Sequence, residues 1–366
     1  MVDINDDWES FLHNDGNDDE MEDSVDVISI NTEKNPDYLQ SSDVRNIPKC
    51  SSLYISTKTK ISYLNINNID IKDIFWKVPI LKYYTPSNGI IKKQIKYSST
   101  SKDEVDFISE QLKDIVCYDE HIIEHIENPE GRIKYKDQRK ISIGTCKKDI
   151  LSYRSKKKRA FFNCFVLILR LFHKEEFKEV HVKVFNTGKM EIPGIQNDEL
   201  LHKVLTLLVE VLRPHLGQEL NFIEGKSETV LINSNFNCGY YIDRDKLHDL
   251  LKYKYRINSN FDACSYPGIQ CKFYHDNNIT TPQTGQQPNH KDYDEVSFMI
   301  FRTGSVLVVG KCSEYVLYNI YDFIKNVLEC EYDVVNSSGL EVPVTNKFRK
   351  KKIRKRILCF ENNDSL

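Results

Sequence analysis

The stretch "EVHVKVFNTGKMEIPG" runs from Glu179 to Gly194, and "EVSFMIFRTGSVLVVG" runs from Glu295 to Gly310. Aligned without a gap, the two share Glu, Val, Phe, Thr and both glycines at the same places, 116 residues apart. Each reads as a strand, a tight turn through Thr-Gly and a second strand, which is a β-hairpin. Successive residues of a strand face opposite sides. Val180, Val182 and Val184 therefore share one face of the first copy, and His181, Lys183 and Phe185 share the other. In the second copy Val296, Phe298 and Ile300 oppose Ser297, Met299 and Phe301, and Ser305, Leu307 and Val309 join the latter after the turn. The valine-type face must meet helices. The other face carries large side chains with no helix assigned to it. A bare face of that kind is a binding surface, unless a third layer such as residues 55–84 covers it.

The same order of elements surrounds both hairpins. "AFFNCFVLILRLF" before the first copy reads as a buried strand, and "QNDELLHKVLTLLVEVLRPHLG" after it as a helix with Asn197 as N-cap, ended by Pro214 and Gly217. Further upstream, "IIKKQIKY" reads as a strand and "SKDEVDFISEQLKDIVCYDEHIIEHI" as a helix opened by Ser101. In the second half "ETVLINSNFNCGYYI", "DRDKLHDLLKYKY", "YPGIQCKFYH" and "CSEYVLYNIYDFIKNVLEC" read as strand, helix, strand and helix, the last capped by Ser313. Each half reads β–α–β–β–β–α. An α+β fold built as a twofold internal repeat follows, an antiparallel sheet with helices on one side. The expected divisions are an acidic disordered tail at 1–50, added strands at 51–84 and a first repeat at 85–222 with a basic, irregular insertion at 127–159. A second repeat at 223–335 and a basic tail at 336–366 complete the chain.

The formal net charge of −3 averages two opposed ends. Residues 1–26 hold eleven Asp or Glu and no Lys or Arg, and eight of the ten residues 347–356 are basic. Without residues 1–49 the remainder carries a net +8. Trp8, Phe11 and Leu12 sit among carboxylates in the acidic tail, which either solvates the chain or docks on a partner. The basic runs at 154–159 and 347–356 read either as solvated tails or import signals, or as phosphate contacts. The ten cysteines form no C-x-x-C pair and no zinc spacing. "AFFNCFVLIL" is about half a membrane span. The expectation is a soluble intracellular protein without a metal or cofactor.

On these residues the chain resembles the TATA-box-binding protein family, in a divergent form like those encoded by large DNA viruses. The likeness covers roughly residues 85–335 and is clearest in "FNTGKMEIPG", "SYPGIQCKF" and "FRTGSVLVVG" with their helices. It implies a saddle-shaped, pseudo-twofold sheet with helices on its convex face and DNA on the other. Phe185 and Phe301 match the family's intercalating phenylalanines, and Tyr266 matches the second wedge of its half. The first-half counterpart of Tyr266 is Phe162, with Cys164 as the alternative register. Asn233 and Asn88 match the central asparagines. Leu307 and Val309, with Met299 beside them, match the aliphatic contacts to the minor groove, and Lys183, Arg170 and Lys272 are the candidate basic contacts. The family pattern departs at Glu191 and Pro193, which stand where Leu307 and Val309 stand in the second half. A carboxylate there opposes phosphates, and Pro cannot donate to a ladder.

The resemblance implies a monomer that binds double-stranded AT-rich promoter DNA and recruits a factor-IIB-like transcription factor and RNA polymerase, in a nucleus or a cytoplasmic viral factory, with no membrane partner. Two other readings stay open. A protein-interaction module could keep the fold and lose DNA binding, as Glu191 and Pro193 suggest. An enzyme on the same sheet would need carboxylates clustered on the open face, where alternation places only Glu191, and the sequence holds no P-loop, zinc motif or nucleophile elbow.

Overall fold

The computed structural model describes residues 47–151, 161–279 and 281–337. The acidic tail up to residue 46 and the basic runs at 154–159 and 347–356 lie outside the described residues. The described chain forms two compact units, a larger one of residues 55–233 and a smaller one of residues 47–54 with 234–337.

The larger unit contains β1 (Tyr54–Tyr63), α1 (Ile71–Lys77), β2 (Gly89–Ser99), α2 (Lys102–Leu112), β3 (Tyr118–Glu127) and β4 (Tyr135–Gly144). These are followed by α3 (Lys147–Leu151), β5 (Cys164–His173), β6 (Glu176–Phe185), β7 (Lys189–Ile195) and α4 (Asp198–Leu216). Its strands lie in the order β3-β4-β2-β5-β6-β7-β1, and the first half of β8 (Glu228–Asn237) comes next. Val180, Val182 and Val184 of β6 join Phe165, Leu167 and Leu169 of β5 and Leu201, Val204, Leu205 and Leu208 of α4 in one core. Each such buried side chain contributes about 1.5–3 kcal/mol. That core also takes Ile74 and Phe75 of α1 and Ile108 and Leu112 of α2, so three helices share this face.

The smaller unit continues β8 into α5 (Arg244–Asp249) with a π turn at Leu250–Lys254, then β9 (Asn258–Asn260), β10 (Gly268–Asp276), β11 (Tyr293–Phe301) and β12 (Ser305–Gly310). α6 (Glu314–Cys330) and α7 (Tyr332–Val335) close it. Its strands lie in the order β8-β12-β11-β10-β9. α6 buries Leu317, Ile320, Phe323, Ile324 and Leu328, and Phe323 meets Phe273 of β10 edge-on at 5.4 Å. The α+β class and the antiparallel sheet of the sequence reading are present. The expected caps also form, with Asn197 Oδ1 accepting from Leu200 N at 2.8 Å and Ser313 Oγ accepting from Val316 N at 3.3 Å.

Three expectations change. Residues 54–63 are not an addition outside the repeat. They form β1, paired with β7 through Lys60↔Ile192 and Ser62↔Met190. β1-α1-β2 and β8-α5-β9 are thus matching openings of the two halves, and each half reads β–α–β–β–β–β–α once α2, β3, β4 and α3 are set aside as an insertion. The helix expected to run to residue 126 stops at Leu112, because Ile115, Val116, Ile122, Ile123 and Ile126 are β-branched and suit a strand. The stretch expected to be irregular contains β4, paired antiparallel with β2 and, across a bulge between Ile122 and Glu124, with β3. Its pattern was hidden because two of its core-facing positions are charged. Arg139 Nε donates to Asp137 Oδ1 and its Nη1 to Glu120 Oε1, both at 2.6 Å. That pairing holds the Asp137 carboxyl below the ordinary carboxylate range.

Candidate nucleic-acid interface

The two hairpin turns are held in the same way. Phe185 O accepts from Gly188 N and Phe301 O from Gly304 N, both at 3.0 Å. Gly188 O then accepts from Leu64 N at 2.8 Å and Gly304 O from Cys238 N at 2.9 Å, each donor lying just past the opening strand of its half. Gly188 has φ +75° and a Cβ there would fall 2.0 Å from Ile66 O; Gly304 has φ +81° and a Cβ would fall 2.4 Å from Tyr240 O. The shared glycine is required by backbone contact in both copies. The turn in turn fixes where the ring before it points.

In the smaller unit, the face away from α6 carries Met299 and Phe301 of β11, Leu307 and Val309 of β12, and Gln270 and Lys272 of β10. The registers Gly268↔Phe301, Gln270↔Met299 and Met299↔Leu307 bring these residues side by side. The Tyr266 and Phe301 rings stand 6.0 Å apart, tilted by 58°, both half-exposed at the strand end. A Cβ at Gly268 would lie 3.0 Å from the Phe301 ring and 3.1 Å from the Tyr266 ring, so the missing side chain makes room for both. The Tyr266 hydroxyl reaches Met299 Sδ at 3.5 Å. Met299 and Val309 are buried although alternation sets them on this face. Lys272 is paired with Glu295 at 2.7 Å. Amides complete the face. Asn235 and Asn237 alternate with buried Ser234 and Phe236 on β8, and Asn237 Nδ2 donates to Ser305 Oγ at 3.3 Å.

In the larger unit the register Cys164↔Phe185 matches Gly268↔Phe301. Two residues earlier in each half stand Phe162 and Tyr266, so the structure sets Phe162, not Cys164, in the position equivalent to Tyr266. Phe162 is exposed, with Lys96 Nζ 3.8 Å from its ring centroid, and Lys189 Nζ lies 5.5 Å from that of Phe185. Lys183 of β6 pairs across the hairpin with Glu191 of β7, Nζ to Oε1 at 2.7 Å. Glu191 is therefore not a bare carboxylate, and Pro193 lies beside it, half-exposed, two residues along β7.

This face is also partly covered. Ile91, Ile168 and Cys146 are buried with Leu81 and Tyr83 half-buried against them, and Lys92 Nζ donates to Asp149 of α3 at 2.7 Å. Leu81 and Tyr83 thus belong to a covering layer over this face. Arg170 holds that layer down, its guanidinium donating to the carbonyls of Tyr83 and Thr85. Glu179 accepts from Lys147 N at 2.9 and 3.0 Å, and burial pushes its carboxyl above the ordinary Glu range. Arg170, nominated as a basic contact, is buried as an anchor of this layer. Asn88, nominated as a central asparagine, lies before β2 and accepts from Phe172 N at 2.8 Å. The neighbour of Asn233 is instead Thr57 of β1, whose Oγ1 accepts from Asn233 Nδ2 at 3.2 Å. The Asn88 assignment followed from starting the first repeat one strand too late. The amides at Asn235 and Asn237 were not singled out, although "NSNFN" at 233–237 places every second residue on one face.

Among the described residues, no group of three or more His, Cys, Asp or Glu could hold a metal ion. None of their helices is long and apolar enough to cross a membrane.

No family model matches the chain. It is similar to the TATA-box-binding protein-like protein of Acanthamoeba polyphaga mimivirus, at 24% identity over 211 residues, which is 52% of this chain and 55% of that protein. The chain thus spans about half the length of the curated relative it matches. A solved structure, Methanococcus jannaschii TBP, superposes with a TM-score of 0.39 at 11% identity over 76% of this chain and 99% of that one.

Proposed function

We propose that this chain is a DNA-binding transcription initiation factor that enters the minor groove of AT-rich promoter DNA with its aromatic strand ends and bends it. The observation that carries this reading is the half-exposed Tyr266–Phe301 pair over Gly268, beside Met299 and Leu307. Rings at a strand end can enter a base step, and unstacking one costs a few kcal/mol that wider contact offsets. The aliphatic and amide side chains suit a groove that presents mainly acceptors. Phe162 and Phe185 are the matching wedges of the larger unit, and Asn233 stands beside Thr57 for the central contact. Recruitment of a factor-IIB-like partner and RNA polymerase, and action in a nucleus or viral factory, belong to the same proposal and draw support from the mimivirus relative.

The covering layer favours a second reading, a protein-interaction module without DNA binding, because it occupies part of the face that DNA would meet in the larger unit. End-labelled AT-rich duplexes and energy transfer separate the two. Bending by the full chain that disappears in Phe185→Ala/Phe301→Ala is the expected result. No bending at low salt, with or without residues 1–46, leaves the module reading.

A further inference from the structure

The two hairpins align without a gap, and they differ most sharply in character at one cross-strand pair. Met299↔Leu307 in the smaller unit is apolar. The same pair in the larger unit is Lys183↔Glu191, an ion pair at 2.7 Å with both side chains about three-tenths exposed. Each pair lies on the helix-free face of its hairpin, two residues along the strand from the wedge, Phe301 or Phe185. An apolar pair at this place fits A·T, which shows the minor groove only acceptors and offers nothing to a hydrogen-bonding side chain that cannot donate. A carboxylate can only accept. Set over A·T, Glu191 would meet acceptors and lose water without a new partner. G·C adds a donor, the guanine N2 amino group, to its acceptors. An adjacent acceptor and donor, Glu191 and Lys183, complement that pattern.

We infer that the Lys183–Glu191 pair makes the larger unit's half of the DNA site select a G·C base pair beside its wedge, while the smaller unit's half selects A·T there. The inference rests on the minor-groove reading proposed above. It makes the recognised site asymmetric in sequence, and so oriented, although the protein is an internal repeat. The Lys183 ammonium also donates to acceptors present in either base pair, so the preference is set by Glu191. The pair is neutral as a unit, which removes the objection that a lone carboxylate repels phosphates.

The test walks a single G·C pair through an AT-rich duplex and measures binding of the full chain by fluorescence anisotropy, at one fixed salt concentration. Wild type should prefer G·C at one position, by roughly tenfold, the size of one good groove contact. Lys183→Met/Glu191→Leu, which installs the side chains of the second hairpin, should reverse that preference to A·T. Glu191→Gln is nearly isosteric and keeps the fold; its amide also donates, so the preference should fall to near parity. A wild type weakened by G·C at every position overturns the inference and leaves the minor-groove reading intact. So does an unchanged preference in Glu191→Gln. Failure to bind any duplex overturns both.

Discussion

Truncating two phenylalanines three residues apart on β11 should give opposite pairs of outcomes. Phe298 is fully buried, on the face that also holds Val296 and Ile300. Phe298→Ala removes that ring from a packed core and should cost about 3–5 kcal/mol. Phe301 is half-exposed, and its ring contacts are Gly268 and the tilted Tyr266 ring at 6.0 Å. An aromatic pair is worth about 0.5–1.5 kcal/mol beyond its area, and the partial burial adds a similar amount. Phe301→Ala should therefore cost about 1–2 kcal/mol. Because the chain has two units, one global unfolding curve is not the right readout. Amide hydrogen exchange along β10, β11 and β12 reports the opening of this sheet directly. Phe298→Ala should speed exchange there more than roughly a hundredfold, and Phe301→Ala by about fivefold to thirtyfold. In the bending assay the order reverses, with Phe301→Ala losing the bend at temperatures where it stays folded. If Phe301→Ala opens the sheet as much as Phe298→Ala, the ring belongs to the core and the wedge reading fails.

Gly188→Ala and Gly304→Ala should each destabilise by several kcal/mol, since the new Cβ meets a backbone carbonyl at 2.0 and 2.4 Å and both residues have positive φ; soluble yield and exchange in the affected unit are the readouts. Gly268→Ala, with rings rather than backbone as neighbours and no positive φ, should fold and lose bending instead, which the bending assay beside amide exchange along β10–β12 would show. Asn197→Ala should cost about 1 kcal/mol through the lost cap at Leu200 N, measured as faster exchange in α4. Burial lowers the Lys93 ammonium from its ordinary 10.5 to about 8, although Nζ donates to Val78 O at 2.7 Å. The unfolded chain then binds this proton more tightly, so the Lys93 contribution to stability rises with pH between about 8 and 10.5. Tyrosines and cysteines titrate in the same window, so the difference between wild type and Lys93→Met is the quantity to follow. A difference that stays flat with pH would show Lys93 to be charged in the folded chain throughout.

The repeated hairpin, the faces of its strands and the helix caps were legible in the amino-acid sequence, because they depend on local rules. Alternation with period two sorts Val182 from Lys183 without any knowledge of partners. Asn197 and Ser313 bond to amides three residues away. The glycines of the two turns stood out by their recurrence, though the carbonyls that exclude a side chain come from Ile66 and Tyr240, distant in the chain.

What only the tertiary structure decided was which segments belong together. β1 carries no phrase that marks it as the match of β8; it is identified by pairing with β7 and by the Leu64 clip on Gly188. Without it the first repeat began at the wrong strand, and Asn88 was assigned a place that Thr57 holds beside Asn233. Arg139 and Asp137 lie in the stretch read as irregular, and the partner that pairs Arg139, Glu120, comes from the neighbouring strand β3. Arg170 and Lys272, candidate basic contacts by sequence, are each committed to carbonyls or a carboxylate from a segment distant in the chain. The sequence determines which face a side chain takes, because that is a property of the strand. Which partner meets it there depends on chain closure over long distances, and only the folded structure supplies it.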